Sequence, residues 1–413
     1  MASYRMTPIH LSYTVAVFAY TLVTAGRVVL PLFALDMGAK PSEIGLLYST
    51  YFIFPLLLSL PLGMLADRHS PRGLLLLGLA IGCVGMLLPA LFHQMLVLYV
   101  AGILIGISFA FTSVLIQNLT GLLSQPTERA RNFSNASLFG ASTLMFGPLV
   151  AGFGIDLSGH AMACLYTVAL GLVAMGLLAR WGHLFPDPVG VPRPASTTSM
   201  AGKDTKSTSA TRTRAVAGLW LGLRERLADR TSLRIIMIGM VIHIGQDLYQ
   251  FYLPVYGHSL GLSASMIGII MASVFIMSCL VRVWLPALVT RLGEERMLMT
   301  AFCLGALGFA LTPLFQHPLA LCLVASVFGI GMGCGSPVIM MLIFSHAPAG
   351  RSGETVGLRH TANNIGRAIA PPVFGFITSL AGLVPVFALS AGMMAAAAWA
   401  VSRVAPKAKP PAA

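Results

Sequence analysis

The 413 residues are 56% hydrophobic and only 9% charged, against roughly 25% charged in a soluble protein, which excludes a soluble globular domain. The formal charge of +13 does not point to nucleic acid, because the basic residues punctuate apolar runs and build no continuous face beside aromatics. The chain reads as an integral membrane protein, too long for one span and with apolar runs too long for barrel strands.

From the N-terminus, apolar runs lie near 11–33, 44–66, 73–92, 96–120, 134–155 and 161–181, and they resume near 234–256, 264–289, 297–315, 319–345, 357–380 and 383–402. At about 1.5 Å of helix rise per residue, each is long enough for a hydrocarbon core of about 30 Å. The expected fold is an all-α membrane protein of twelve transmembrane helices in two pseudo-symmetric six-helix bundles. The first run contains Tyr20, Thr24 and Arg27 and reads as a retained helix, not a cleaved signal. Arg68, Arg72, Arg129, Arg131, Arg291, Arg296 and Arg351 share one set of loops with both tails, and the other set holds only Lys40. Basic loops stay inside, so both termini are expected in the cytoplasm, with the protein in the plasma (inner) membrane.

The expected units are an N-terminal bundle over 1–182, a cytoplasmic linker over 183–232, a C-terminal bundle over 233–403 and a cytoplasmic tail over 404–413. The linker is rich in Pro, Ser and Thr from Pro186 to about Arg214 and reads as disordered. It ends in an amphipathic stretch with Val216, Leu219, Trp220, Leu223 and Leu227 on one face. That helix either lies on the inner membrane surface or packs on cytoplasmic loops. The six cysteines sit in apolar runs without CxxC spacing, so packing is expected and a disulfide or metal site is not.

The halves repeat. Adding 223 to Pro31, Gly38, Ser42, Ile44 and Gly45 gives Pro254, Gly261, Ser265, Ile267 and Gly268; the same shift takes Arg68 to Arg291, Gly106 to Gly329, Pro148 to Pro371 and Gly152 to Gly375. Parallel duplicated bundles place a substrate site between them.

Two polar stripes interrupt the apolar runs. In span seven, His243, Gln246, Asp247, Gln250 and Pro254 fall at helical spacing on one face. A charge at the bilayer centre costs about 2.5–3.5 kcal/mol, so this face turns to protein or water, either lining a cavity or making a polar helix contact. The shift maps Tyr20, Thr24, Arg27 and Pro31 onto His243, Asp247, Gln250 and Pro254, so spans one and seven present equivalent faces. In span eleven, Arg359, Asn363 and Arg367 are spaced i, i+4, i+8; Arg359 is placed to snorkel, while Arg367 lies two turns deeper. Gln117 and Asn118 either line an inner vestibule or cap span four. Arg282 either joins that vestibule or reaches the surface.

The loop after span two reads Gly63, Asp67, Arg68 and Arg72, with Ser70 and Pro71 between the last two, and resembles the GxxxD(R/K)xG(R/K)(R/K) signature of the major facilitator superfamily of twelve-helix transporters. Ser70 stands where that pattern has Gly. The resemblance covers the whole chain and implies a latch at this loop, although the same charges also suit a local ion pair. Span five carries Gly147, Pro148 and Gly152, similar to the GPxxGG element of the antiporter branch, with Ala151 replacing one Gly; Pro371, Pro372 and Gly375 occupy the corresponding part of span eleven. Pro bends a helix and small residues let helices approach. The family's span-four Arg would fall at Gly102, so its proton role has no bearer there.

The expected function is secondary active transport of a small organic solute by alternating access, as efflux by proton antiport, with proton-coupled uptake as the alternative. Arg27 and Arg367 outnumber Asp247, which favours an anionic or zwitterionic cargo. Asp247 is the candidate proton carrier: a proton there frees an arginine for cargo, and cargo and proton compete. A membrane-embedded enzyme is the weaker alternative of another class, since HExxH, Gly-x-Ser-x-Gly and paired intramembrane acids are all missing from the sequence. No cofactor, metal or nucleic acid is expected, and the chain is expected to act as a monomer in contact with membrane lipid.

Overall fold

The computed structural model describes residues 7–66, 69–124, 129–185, 230–346 and 352–403. Residues 186–229 of the expected linker, its amphipathic stretch included, lie outside the described residues, as do Asp67, Arg68 and the tail 404–413.

All regular structure among the described residues is helical. α1 runs Pro8–Asp36, α2 Pro41–Ala66, α3 Pro71–Leu91 and α4 Met95–Leu122. Arg129–Trp181 is one run broken at Gly159, where φ 81 and ψ 171 are not helical, and it supplies α5 before the break and α6 after it. α7 spans Arg230–Ser259, beginning inside the interval assigned to the linker, then α8 Ala264–Leu292, α9 Glu294–Leu311, α10 Pro318–His346, α11 Ser352–Ala381 and α12 Leu383–Ser402. Local chemistry sets several starts: Ser70 accepts the Gly73 N–H with Pro71 in the first turn of α3, and Ser263 accepts the Met266 N–H at α8. Among the described residues nine segments are long and apolar enough to cross a membrane, one of them holding the α5–α6 pair. α7 and α11 fall outside that set because they carry the polar stripes.

The repeat extends into backbone geometry. The turns that follow α1 and α7 use Gly38 and Gly261, with φ of 82° and 71°; those that follow α5 and α11 use Gly159 and Gly382, with φ of 81° and 85°. Each pair is 223 residues apart, and only glycine adopts this left-handed region without strain. Packing repeats as well. A Cβ on Gly106 would meet the Tyr51 carbonyl oxygen at 2.7 Å, and Gly329 lies equally hard against Val274, the residue 223 positions after Tyr51.

The halves meet where α2 packs on α11 and α5 on α8. Both contacts lie at the starts of α2 and α8, on the face remote from the termini. A Cβ on Gly45 would stand 2.7 Å from Pro371 O and one on Gly268 2.5 Å from Pro148 O, so backbone touches backbone. Gly375 and Gly152 occupy the opposing surfaces, against Gly45 and against Ala264 and Ser265. Pro148, Gly152, Pro371 and Gly375, among the residues expected to bend helices, therefore lie in the seam between bundles, while Gly147 packs on Thr24 and Ala25 of its own half. The seam is capped across halves: the Asp156 carboxylate accepts N–H bonds from Ala264 at 3.0 Å and Ser265 at 2.8 Å, and Ser379 Oγ accepts the Ser42 N–H at 3.1 Å. These side chains satisfy the free N–H groups at the starts of α8 and α2. Asp156 and Ser379 again differ by 223.

Candidate functional site

Between the bundles, α7 supplies Asp247, which is 1% exposed. α11 supplies Arg367, whose Nε donates to Asp247 Oδ2 at 2.5 Å and whose Nη2 donates to Oδ1 at 3.1 Å. Two parallel N–H···O bonds of this kind are the strong form of a carboxylate–guanidinium contact. The pair neutralises two charges that lipid would otherwise penalise. Of the two arginines expected near Asp247, Arg367 is the one that pairs with it.

α1 brings Arg27 alongside, with its guanidinium carbon 4.9 Å from the Phe52 ring centre, 4.7 Å from Phe109 and 6.0 Å from Tyr51. Arg367 lies 5.1 Å from the same Phe52 ring, so one α2 aromatic stands beside a cation from each half. Arg27 is buried, and its Nε and Nη2 have no hydrogen-bond partner among the described residues. An unmade buried donor costs about 1–3 kcal/mol, and more when charged. Cation–π attraction returns about 0.5–2 kcal/mol and gives the N–H groups no acceptor. Arg27, Arg367 and Asp247 together carry a formal charge of +1.

A narrow cleft opens beside Arg27, lined from the first half by Thr24, Tyr48 and Pro148 and from the second by Gln250, Met271 and Phe275. A second, equally narrow, shares Gln250 and Phe275 and adds Gln246, Ser278 and Met332. Tyr48 and Phe251 face each other across the halves with ring centres 5.1 Å apart. The equivalence expected of spans one and seven is realised here, since Arg27 and Gln250 line one cleft.

The remaining candidates divide. Tyr20 packs edge-on against Phe109 at 6.2 Å, and Thr24 donates to Thr143 O at 3.0 Å while lining the cleft. Gln246 donates to Met332 O at 3.3 Å. Asn363 is buried one turn before Arg367, its Oδ1 without a partner among the described residues, and His243 is half-buried on α7; neither lines the two clefts. Arg282 donates to Gly333 O at 3.2 Å and so fastens α8 to α10 within one bundle. Gln117 is exposed and Asn118 half-buried near the end of α4, while the side chain of Arg359 lies outside the described residues. In the loop expected to be a latch, Gly63 is in α2, and Arg72 donates to Ala179 O at 2.9 Å. That carbonyl is in the last turn of α6, where the helix leaves acceptors free. The observed Arg72 bond therefore lies within its own half and does not join the bundles.

Gly102 stands where the resemblance would place an arginine, and it packs on Thr50, Leu47 and Tyr51 of α2. Gly102→Arg is expected to overpack this contact at about 3 kcal/mol or more, lowering the melting temperature without adding proton coupling. Thermal unfolding of the purified variant, beside a transport assay, checks this. Arg72→Ala, in contrast, loses one charge-assisted bond worth about 1.5–3 kcal/mol and should lower the melting temperature while transport per folded molecule stays within about twofold. Among the described residues no group of three His, Cys, Asp or Glu could hold a metal.

Two six-helix halves enclosing a buried, charge-bearing cleft define a two-bundle membrane carrier. Residues 12–367 and 235–413 match the Major Facilitator Superfamily profile, and the chain belongs to that family. Its sequence is 23% identical over 370 residues to an uncharacterized MFS-type transporter of Methanocaldococcus jannaschii, covering 88% of this chain and 89% of that protein. It is 28% identical over 146 residues to the quinolone resistance protein NorA of Staphylococcus aureus, a match spanning 35% of this chain and 37% of NorA. The chain thus matches little more than a third of the length of that relative. Among solved structures, the nucleoside transporter NupG superposes with a TM-score of 0.73 at 17% identity, over 97% of this chain and 99% of NupG. A POT family transporter in complex with 5-aminolevulinic acid superposes with a TM-score of 0.75 at 14% identity, over 95% and 94% of the two chains. These likenesses show the fold.

Proposed function

We propose that this chain exports a small carboxylate-bearing zwitterion by alternating access in exchange for protons. The observation that carries the reading is the buried Asp247–Arg367 pair set beside Arg27, whose Nε and Nη2 have no hydrogen-bond partner among the described residues. Such a cluster offers an acceptor for a cargo ammonium group and cations for its carboxylate. A proton on Asp247 removes the negative charge that holds the ammonium, so proton and zwitterion compete, and competition is the requirement for antiport. The partial similarity to a quinolone resistance protein supports export. The basic loops support cytoplasmic termini in the plasma (inner) membrane, and a monomer encloses the whole cleft.

The formal charge of +1 on the three ionised groups favours a second reading. An anion without a cationic group binds more tightly once Asp247 is protonated, so it travels with the proton, as in uptake by symport. The sign of the pH effect on binding separates the two. A zwitterion should lose affinity as pH falls; a plain anion should gain it.

Purified protein in sealed vesicles tests the transport reading. With an imposed pH gradient and a panel of amino-acid-like and carboxylate solutes, the expected result is counterflow of a chemically unchanged solute. Chemical conversion of the solute, or a proton gradient that drives no solute of the panel, would overturn it.

A further inference from the structure

We infer that the Nε–Nη2 edge of Arg27 is the seat of a single planar carboxylate, and that the site selects monocarboxylates over phosphorylated solutes. This rests on the cleft being the transport site but not on the sign of proton coupling. Arg367 shows how such an edge is used here: its Nε and Nη2 hold the two oxygens of one carboxylate. Arg27 presents the same two nitrogens, both buried and both without a partner among the described residues, beside a cleft that the two halves line together. Within the cluster the Asp247 carboxylate bonds to Arg367 and not to this edge of Arg27.

The surroundings narrow the ligand further. Phe52 and Phe109 stand within 5 Å of the Arg27 guanidinium carbon and supply no acceptor, so the in-plane edge is what a ligand can engage. A flat carboxylate matches a fork of two parallel N–H groups. The formal charge of +1 on Arg27, Arg367 and Asp247 is balanced by one negative charge, which disfavours dianions. The cleft walls beside Arg27 include Val28, Leu144, Met271 and Phe275, which suit an apolar body.

The full-length purified protein tests this with four probes: benzoate, benzamide, phenyl phosphate and benzylammonium. Binding by calorimetry should favour benzoate over benzamide by about 100-fold or more, as expected where a site built to bind a polar group meets an analogue that cannot complete it. Arg27→Gln should lose benzoate by a similar factor while its melting temperature holds or rises, since it removes a buried charge whose Nε and Nη2 have no acceptor among the described residues. Arg27→Lys, which keeps the charge without the fork, should lose at least about tenfold. Equal binding of benzoate and phenyl phosphate, or benzoate binding that survives Arg27→Gln, would overturn the assignment. If none of the probes binds while another solute shows Asp247-dependent proton-driven transport, the seat fails and the coupling stands. Benzoate binding that depends on Arg27 but exchanges no proton through Asp247 keeps the seat and removes the coupling.

Discussion

Asp247→Asn is expected to lower proton-driven accumulation of cargo by about 100-fold or more, comparable to removing a proton-transfer group from a catalytic site. Solute exchange without a proton gradient should survive in part, because the cleft and Arg27 remain. Stability should fall as well. Asn cannot accept two charge-assisted bonds, so Arg367 becomes a cation without its partner, and breaking a buried pair from one side costs about 3–5 kcal/mol. The Arg367 side chain is 21% exposed, which places the expected loss toward the lower end. Asp247→Asn combined with Arg367→Gln removes both charges and should recover most of the melting temperature without recovering coupling. A double-mutant cycle on thermal unfolding and on pH-driven flux reads the two effects separately. Full coupling in Asp247→Asn would remove this residue from the mechanism.

The second large effect belongs to the seam. Gly45→Val and Gly268→Val add side chains whose first carbon would lie 2.7 Å from Pro371 O and 2.5 Å from Pro148 O. Overpacking of this kind costs about 1–3 kcal/mol. In the proposed alternating access the contact forms only when the halves are closed on that face, so the cost falls on one state and should shift the equilibrium toward opening there by about tenfold to a hundredfold. Asp156→Asn leaves the shape unchanged but removes the charge set against the start of α8, and a smaller shift in the same direction is expected. Distances between spin labels on the outer ends of α2 and α11 would report the shift. Unchanged distances in Gly45→Val would show that the seam is not a gate.

Much of this architecture was legible in the sequence because duplication leaves identical residues at one offset. Gly45 with Gly268 and Pro148 with Pro371 marked both the repeat and, as the structure shows, the places where the halves touch. Asp156 and Ser379 obey the same offset and cap equivalent helices, but they differ in type, so a search for identical residues passes over them. Asp247 and Arg367 stood out as charges in apolar runs. Their pairing, and the placing of Arg27 beside that pair without joining it, depend on how α1, α7 and α11 are rotated, which periodicity within each helix does not determine. Phe52 and Phe109 were illegible for another reason: an aromatic in an apolar run has no distinguishing signal until a cation is placed beside it. Arg282 and Arg72 show the converse, since their charge drew notice while their observed bonds fasten helices within single bundles.

The proposed mechanism has cargo and proton act on one linked cluster between the halves. Calorimetry of cargo binding near neutral pH, repeated in buffers of different ionisation enthalpy, counts the protons exchanged per molecule bound. The expected result is a proton release on zwitterion binding that grows as pH is lowered, and that vanishes in Asp247→Asn. Binding that exchanges no proton at any pH, or an exchange that persists unchanged in Asp247→Asn, would contradict it.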